Sequence, residues 1–303
     1  MSVGLAGVRL ANPIVSASGC FGSGKEMSRF VDLSRLGAVV CKTVTLRPRP
    51  GIDPPRGAET PAGMLNAIDL QNPGVHAFVE KDLPWLAERN VPAIASIGGH
   101  SVEEYVACAQ ALRGAPGLVA IEINLSCPNL EDRGFMFALA PDRTAAVTRA
   151  VKDVGVVPIF PKLSPDVTDI VAIADAAVGA GADGIALINT TLGMAIDTTT
   201  FKTKLSTGTG GLSGPAIRPV AVRCVWQVHD ALPHVPIIGM GGVRSGEDAL
   251  EMILAGATAV AVGTATFSNP RATEEVAAGL ESILRERGIA SIDQVRGRVK
   301  IEG

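Results

Sequence analysis

The hydrophobic positions of this chain fall into short runs that end in small or polar residues and recur along its whole length. Eight such runs have the composition of buried strands, and they cover residues 14–19, 38–44, 93–99, 119–126, 156–164, 184–190, 236–242 and 259–265. Between several of them, apolar residues recur at helical spacing, as at residues 102–112, 167–180, 216–231 and 246–254. Eight strands alternating with helices predict an α/β protein, a (β/α)8 TIM barrel in which residues 1–303 form a single domain.

Two kinds of segment interrupt this alternation. Residues 3–12 precede the first strand and predict a small hairpin that closes the bottom of the barrel. Three connections, residues 46–75, 128–144 and 191–214, are too long for tight turns, and each follows the carboxyl end of a strand. Because that end of a barrel carries its chemistry and long loops are usually functional, we expect these loops to cover an active site.

The composition excludes several classes of protein. Of the 303 residues, 47% are hydrophobic, 19% are charged and 4% are aromatic, and the formal net charge is −3. No run of Lys and Arg forms a basic stripe and aromatic residues are scarce, so we expect no nucleic-acid partner. No apolar run approaches the ~20 residues of a membrane span, and the first residues lack a secretory leader pattern, so we expect no membrane association.

The cysteines indicate the redox environment. Cys20, Cys41, Cys108, Cys127 and Cys224 are an odd number at scattered spacings, without a C-x-x-C pair. This usage predicts a reduced, cytoplasmic protein. It also predicts that the chain has no metal site and no iron–sulfur cluster of its own.

The fourth predicted strand ends in an unusual sequence. Residues 121–129 read Ile-Glu-Ile-Asn-Leu-Ser-Cys-Pro-Asn, an alternation that predicts a strand turning sharply into a loop. A lone cysteine is more often a buried core residue than a reactive one. Here, however, Cys127 follows a barrel strand and is flanked by the amides of Asn124 and Asn129. A thiol in this position can move a proton while the amides hold a polar ring.

Glycines cluster at the ends of the last two predicted strands, at residues 239–243 and 261–265. Tight turns alone would explain glycine. The loops after strands seven and eight are, however, the usual phosphate site of a barrel, where glycine lets backbone N–H groups approach the ligand. The position of both clusters therefore favours a bound phosphate group.

Polar residues at other strand ends indicate an anionic ring as the ligand. Lys42 and Lys162 lie inside predicted strands, where a lysine is costly unless it is paired or snorkels outwards. Two lysines at one barrel mouth favour an anionic ligand. Residues 66–74, together with Asn124, Asn189 and Thr190, are individually ordinary turn formers, but jointly they can hydrogen-bond a cyclic imide.

Six pieces of the sequence carry a resemblance to a known family. They are residues 16–22, 66–74, 124–129, 162–168, 210–216 and 238–242, which read Ser-Ala-Ser-Gly-Cys-Phe-Gly, Asn-Ala-Ile-Asp-Leu-Gln-Asn-Pro-Gly, Asn-Leu-Ser-Cys-Pro-Asn, Lys-Leu-Ser-Pro-Asp-Val-Thr, Gly-Gly-Leu-Ser-Gly-Pro-Ala and Ile-Gly-Met-Gly-Gly. With them the chain resembles the class 1B, NAD-linked branch of the dihydroorotate dehydrogenases. The match covers essentially the whole chain in the same order.

The resemblance implies an FMN-binding barrel that oxidises dihydroorotate to orotate in de novo pyrimidine biosynthesis. Cys127 would be the catalytic base that removes the C5 proton, while FMN accepts a hydride from C6. The residues implied at the substrate are Lys42, Asn66, Ala67, Ile68, Asp69, Leu70, Asn124, Asn189 and Thr190. Those implied around FMN are Ser18, Lys42, Thr43, Ser96, Asn124, Lys162, Ile188, Gly214, Gly241, Gly242, Gly263 and Thr264.

Two positions depart from the family pattern. Asp69 stands where glycine is usual, which adds a negative charge beside a site for an anion, and Asp is a less costly replacement if the backbone there needs a positive φ. Ser96 stands where an Asn normally faces the flavin, which it would reach through water. The resemblance further implies a partner subunit carrying FAD and an iron–sulfur cluster, and a homodimer core within a heterotetramer.

Other functions remain open on the sequence alone. A related dihydropyrimidine dehydrogenase would act on uracil or thymine rings with a similar barrel. A flavin-free phosphate-binding barrel, such as an aldolase or an isomerase, would use the same glycine clusters. A non-catalytic partner subunit is the least favoured alternative, because the cysteine and both lysines are intact.

Overall fold

A computed structural model of the chain describes residues 1–125 and 136–300. The strands are β1 (Val3–Leu5), β2 (Val8–Leu10), β3 (Ile14–Ser16), β4 (Val39–Val40), β5 (Gly57–Thr60), β6 (Gly63–Asn66), β7 (Ala93–Ile97), β8 (Leu118–Asn124), β9 (Ile159–Leu163), β10 (Ile185–Leu187), β11 (Thr191–Met194), β12 (Ile196–Asp197), β13 (Lys202–Thr203), β14 (Thr209–Ser213), β15 (Ile237–Met240) and β16 (Ala259–Val262). The α-helices are α1 (Val75–Ala87), α2 (Val102–Ala111), α3 (Pro141–Val154), α4 (Ile170–Gly179), α5 (Arg218–Ala231), α6 (Gly246–Ala255), α7 (Ala265–Ser268) and α8 (Ala272–Glu286).

Eight parallel strands form the barrel, in the order β3, β16, β15, β10, β9, β8, β7 and β4. A parallel bridge between Val15 and Ala38 joins the first and last of these strands. Ser16 supports this closure, because its Oγ accepts a hydrogen bond from the Val40 amide at 2.9 Å. The TIM barrel predicted from the sequence is therefore confirmed.

The barrel strands are shorter than the runs that predicted them. Each run overlaps one observed strand, and only β8 begins outside its run, at Leu118. Residues such as Gly241 and Thr264 at the ends of the runs leave the sheet and line a cavity. The predicted hairpin is also confirmed, since β1 and β2 pair antiparallel and place Leu5 and Leu10 in the core.

The four helices predicted from periodicity are α2, α4, α5 and α6. Three of them begin at polar caps that satisfy the first free backbone N–H groups. Ser101 accepts from Glu104 N before α2, Asp169 accepts from Val171 N and Ala172 N before α4, and Ser245 forms a capping box with Asp248 at α6. The buried faces of these helices pack against the barrel and form one large core.

Two of the three long loops form a second sheet. Strands β5 and β6 from the first loop and β11 and β14 from the third pair antiparallel in the order β11, β14, β6 and β5. We call these four strands the lid sheet. Leu65, Ala67 and Leu205 form a small hydrophobic core beneath part of it. Part of the loop at residues 128–144 lies outside the described residues.

Candidate active site

A cavity of about 960 Å³ lies between the carboxyl ends of the barrel strands and the lid sheet. Cavities of this size at this face of a barrel are typical ligand sites. Most of the residues predicted at the site line it, namely Ser18, Lys42, Thr43, Asn66, Ile68, Leu70, Asn124, Lys162, Ile188, Asn189, Thr190, Gly214, Gly241, Gly242, Gly263 and Thr264. The fold therefore brings together residues that are up to 246 positions apart in the chain.

Four predicted residues are placed differently. Ala67 packs into the small core under the lid sheet, Asp69 pairs with Arg49, and Ser96 lies fully buried inside the barrel, so none of the three is among the residues that line the cavity. Cys127, the predicted base, lies outside the described residues.

The glycine end of the cavity has a backbone suited to an anion. Gly241 and Gly242 have φ values of 130° and 74°, a region that favours glycine. A Cβ on Gly242 would lie 2.7 Å from Arg218 Cβ and 2.8 Å from Gly214 O, so a larger residue does not fit. Within the described part of the chain, the N–H groups of Gly241, Gly242 and Gly263 make no hydrogen bond to another backbone group. All three residues line the cavity.

Two lysines contribute positive charge to the same cavity. Lys162, on β9, is 5% exposed, and its Nζ donates to Ser18 Oγ at 3.2 Å. Lys42 follows β4 and is half-buried at the cavity wall. The structure therefore excludes outward snorkelling for Lys162, because its side chain lies inside the barrel. This arrangement supports the predicted anionic ligand.

Glu122 is a buried carboxylate that the sequence reasoning missed. It is fully buried on β8, and its Oε1 accepts from Ser18 Oγ at 2.7 Å and Ser96 Oγ at 3.0 Å. Lys162 Nζ lies 3.7 Å from the same oxygen. The available signal was a glutamate two residues before Asn124 in an otherwise apolar strand, since side chains two apart face the same way.

The amides predicted to hold a cyclic imide do lie together. Asn124 Nδ2 donates to Thr43 Oγ1 at 3.2 Å, and Asn189 Nδ2 donates to Asn124 Oδ1 at 3.2 Å. On the lid sheet, Asn66 Nδ2 donates to Gly211 O at 3.2 Å. These contacts orient three amides around one cavity, which turn formation alone would not require.

The segment around Asp69 has an unusual backbone conformation. Asp69 and Leu70 have φ values of 56° and 53°, so the expected tolerance of Asp for a positive φ is needed here. The Asp69 carboxylate accepts a hydrogen bond from Arg49 Nη2 at 2.7 Å. Its charge is therefore offset by an arginine outside the cavity lining. Asn72 fixes the other side of the turn by donating to Leu70 O at 2.6 Å and accepting from Gly74 N at 2.8 Å.

Cys20 is a thiol in the cavity lining that was not predicted at the site. Burial raises its pKa to about 11, against the opposing effect of Lys162 and Lys42. At neutral pH this thiol is protonated, so it is a poor general base. Cys20 lies next to Gly263 in the cavity lining, and a Cβ added to Gly263 would lie 3.4 Å from Cys20 Sγ.

Two kinds of feature are absent from the part of the chain that the structure describes. In residues 1–125 and 136–300, no three His, Cys, Asp or Glu side chains are grouped to hold a metal ion. Over the same ranges, no helix combines the length and the apolarity required to cross a membrane.

The chain is similar to known proteins along most of its length. The family model described as dihydroorotate dehydrogenase matches residues 1–284. The catalytic subunit of dihydroorotate dehydrogenase B (NAD(+)) from Geobacillus kaustophilus is 52% identical over 298 residues, which cover 98% of this chain and 95% of the relative. The subunit of the same name from Desulforudis audaxviator is 53% identical over 296 residues, covering 98% and 96%.

A solved structure shares the fold. The crystal structure of DHODH in complex with ferulenol from Eimeria tenella superposes with a TM-score of 0.82 at 22% identity, covering 98% of this chain and 88% of the other. At that identity the likeness concerns the barrel alone. Together with the family match over most of the chain, these comparisons show that the chain belongs to the dihydroorotate dehydrogenase family.

Proposed function

We propose that this chain is the FMN-containing catalytic subunit of an NAD-linked dihydroorotate dehydrogenase, with Cys127 as its general base. Oxidation of dihydroorotate to orotate in pyrimidine biosynthesis is the activity of the family to which it belongs. One observation carries the proposal. The backbone N–H groups at the ends of β15 and β16, two lysines and three amides surround one cavity at the barrel mouth.

The residues at the cavity fit FMN. The N–H groups of Gly241, Gly242 and Gly263 supply donors for a phosphate group, and glycine allows a close approach. Lys162 lies in the wall of the same cavity, where a positive charge favours an electron-rich ring. The remaining predicted FMN contacts, Ser18, Thr43, Ile188, Gly214 and Thr264, also line it. When bound, FMN would supply the acceptor for the hydride from C6 of the substrate.

The chain's own residues would bind and orient the substrate. Asn66, Asn124 and Asn189 present amide groups that match the alternating N–H and C=O groups of the pyrimidine ring. Lys42 would neutralise the substrate carboxylate. Ile68 and Leu70, on the segment that Arg49 and Asp69 hold, cover the ring and exclude water.

The proton from C5 would pass to Cys127. A thiol has an ordinary pKa near ~8.5, so a modest stabilisation of the thiolate makes it an available base near neutral pH. Cys20, a thiol in the cavity lining, is unsuited to that role because burial raises its pKa to about 11. We therefore assign the base function to the cysteine in the Asn-Leu-Ser-Cys-Pro-Asn sequence.

Electrons would leave through a second subunit. The matched relatives are named catalytic subunits of an NAD(+)-linked enzyme. In the described residues no cysteine group suited to a cluster is present. We propose a partner that carries FAD and an iron–sulfur cluster, assembled on a homodimer core of this chain as a heterotetramer in the cytoplasm.

An anaerobic flavin spectrum tests the proposal. The purified chain is expected to show an FMN spectrum that bleaches when dihydroorotate is added and stays unchanged with dihydrouracil. A colourless protein that does not gain a flavin band after incubation with FMN would refute the cofactor assignment. Bleaching by dihydrouracil instead would identify a dihydropyrimidine dehydrogenase.

Two cysteine variants extend this test to the base. Cys127→Ser is expected to retain FMN but to slow bleaching by roughly 10²–10⁴, the usual contribution of a general base. Cys20→Ser is the matched control, since it alters a thiol that lines the cavity and is protonated at neutral pH. Equal slowing of the two variants would contradict the assignment of Cys127.

A further inference from the structure

Glu122 lies behind the cavity wall and has no role in the chemistry described above. It lies on β8 and is fully buried, and the cavity lining includes neither Glu122 nor its neighbour Ser96. Burial of a carboxylate is costly unless hydrogen bonds and an opposite charge compensate it. The contacts of Glu122 must therefore compensate the cost of its burial.

Glu122 contacts two residues of the cavity lining, Ser18 and Lys162. Its Oε1 accepts from Ser18 Oγ at 2.7 Å, and Lys162 Nζ, 3.7 Å away, donates to the same Ser18 Oγ at 3.2 Å. Ser18 and Lys162 both line the cavity. Glu122, Ser18 and Lys162 thus form a triangle with one carboxylate behind the wall and two donors at its surface.

Through Ser96, the carboxylate is also connected to Thr43, which lines the cavity. Ser96 Oγ donates to Glu122 Oε1 at 3.0 Å and lies 2.8 Å from Thr43 Oγ1. Because a carboxylate only accepts, Ser96 must direct its proton to Glu122, and Thr43 must then donate to Ser96. Asn124 Nδ2 can only donate to Thr43, which leaves Asn124 Oδ1 to accept from Asn189.

Lys162 and Glu122 have opposite effects on negative charge in the cavity. Lys162 is 5% exposed, and its charge lowers the pKa of the Cys20 thiol in opposition to burial. The Lys162 ammonium therefore stabilises negative charge in the cavity. The Glu122 carboxylate, 3.7 Å from that ammonium, works in the opposite direction.

We propose that Glu122 is a positioning residue that holds Lys162 and Ser18 at the cavity wall and offsets the charge of Lys162 there. The inference rests on the proposed binding of FMN to this cavity. Reduction adds negative charge to a flavin, so the balance between Lys162 and Glu122 sets how strongly the site favours the reduced state. Glu122 thereby limits the electron affinity of the flavin and keeps it able to pass electrons on.

The test is the two-electron midpoint potential of bound FMN in native protein, Glu122→Gln and Glu122→Asp. Glu122→Gln keeps an acceptor for Ser18 and Ser96 but removes the charge. It is expected to shift the equilibrium at least tenfold towards reduced FMN, about 30 mV for a two-electron couple. Glu122→Asp retains the charge and is expected to shift it less, in the same direction. A purely structural role of Glu122 would not give a larger shift in midpoint potential for Glu122→Gln than for Glu122→Asp.

The outcomes separate this inference from the proposed function. If the native chain binds no FMN, the proposed function fails. If it binds FMN and Glu122→Gln has the native potential, the role of Glu122 is refuted and the proposed function stands. Should Glu122→Gln not fold because the buried charge of Lys162 is no longer compensated by a carboxylate, Glu122→Gln/Lys162→Met removes both charges together. Its potential is then compared with that of Lys162→Met, and an equal value would overturn the inference.

Discussion

At the scale of single residues, Asp69 shows how one side chain can serve both backbone and charge. Its φ of 56° suits Asp or Asn better than most residues, and its carboxylate pairs with Arg49 at 2.7 Å. Arg49 is also joined to Asn72 by two backbone hydrogen bonds of 3.0 and 3.1 Å. The pair therefore fastens the turn that places Ile68 and Leu70 in the cavity.

Substitutions at Asp69 should separate these two contributions. Asp69→Asn keeps the tolerance for a positive φ and loses the ion pair, so we expect a loss of about 1 kcal/mol in the free energy of unfolding. Asp69→Ala loses both and should cost about 2 kcal/mol, because alanine is less stable in the left-handed region. Urea unfolding measures both values, and the KM for dihydroorotate should rise in the same order. Native stability and KM in Asp69→Asn would show that the pair does not hold the turn.

At the scale of elements, the lid sheet depends on close contact between two loops that are distant in sequence. Strand β14 pairs with β6 through Gly211 and Asn66, Leu212 and Leu65, and Ser213 and Met64. A Cβ on Gly63 would lie only 1.9 Å from the carbonyl oxygen of Ser213. The two strands can approach because Gly63 has no side chain.

Gly63→Ala is therefore expected to separate β6 from β14 and disrupt the lid sheet that covers the cavity. We expect a loss of about 1–3 kcal/mol in stability and a higher KM for dihydroorotate, with the barrel intact by circular dichroism. Gly57→Ala is the matched control on the same hairpin, because a Cβ on Gly57 has no heavy atom within 4 Å. Similar effects of the two substitutions would contradict the role assigned to this contact.

At the scale of the whole molecule, His229 on α5 lies against the end of α6 and the C-terminal segment. A Cβ on Gly256 would lie 2.2 Å from its Cγ, and one on Gly297 would lie 2.1 Å from its Nε2. Its Nδ1 is buried without a hydrogen-bond partner among the described residues. Burial, and then the charge of Arg296, lower the pKa of His229 below its ordinary value of 6.5, while Asp230 opposes them.

This pKa shift predicts an acid-sensitive stability. The unfolded chain takes up a proton at His229 near pH 6.5, whereas the folded chain does so only at lower pH. The stabilisation is therefore present above the unfolded pKa and lost as the pH falls through the folded pKa. Urea unfolding at about pH 7.5 and about pH 5.5 should show this loss, and His229→Leu should reduce it. An unchanged pH dependence in His229→Leu would exclude His229 as the source.

Local sequence was sufficient to predict the barrel and to assign several of the cavity residues to one face of it. Strand and helix periods are local properties, so eight strands, four named helices and the first hairpin could be predicted from short stretches. Because all parallel strands end at the same face, residues at the strand ends, such as Lys162, Asn189 and Gly242, could be assigned to one cavity from their positions along the chain.

Which side chains reach that cavity and which stand behind it depends instead on tertiary packing. The lid sheet joins residues more than 100 positions apart, and its strands are only four or five residues long. Ser96 turns towards Glu122 and Asp69 towards Arg49 because those partners are supplied by other strands and loops. A buried charge such as Glu122 is tolerated only with such partners, and their distances are set by packing of the whole chain.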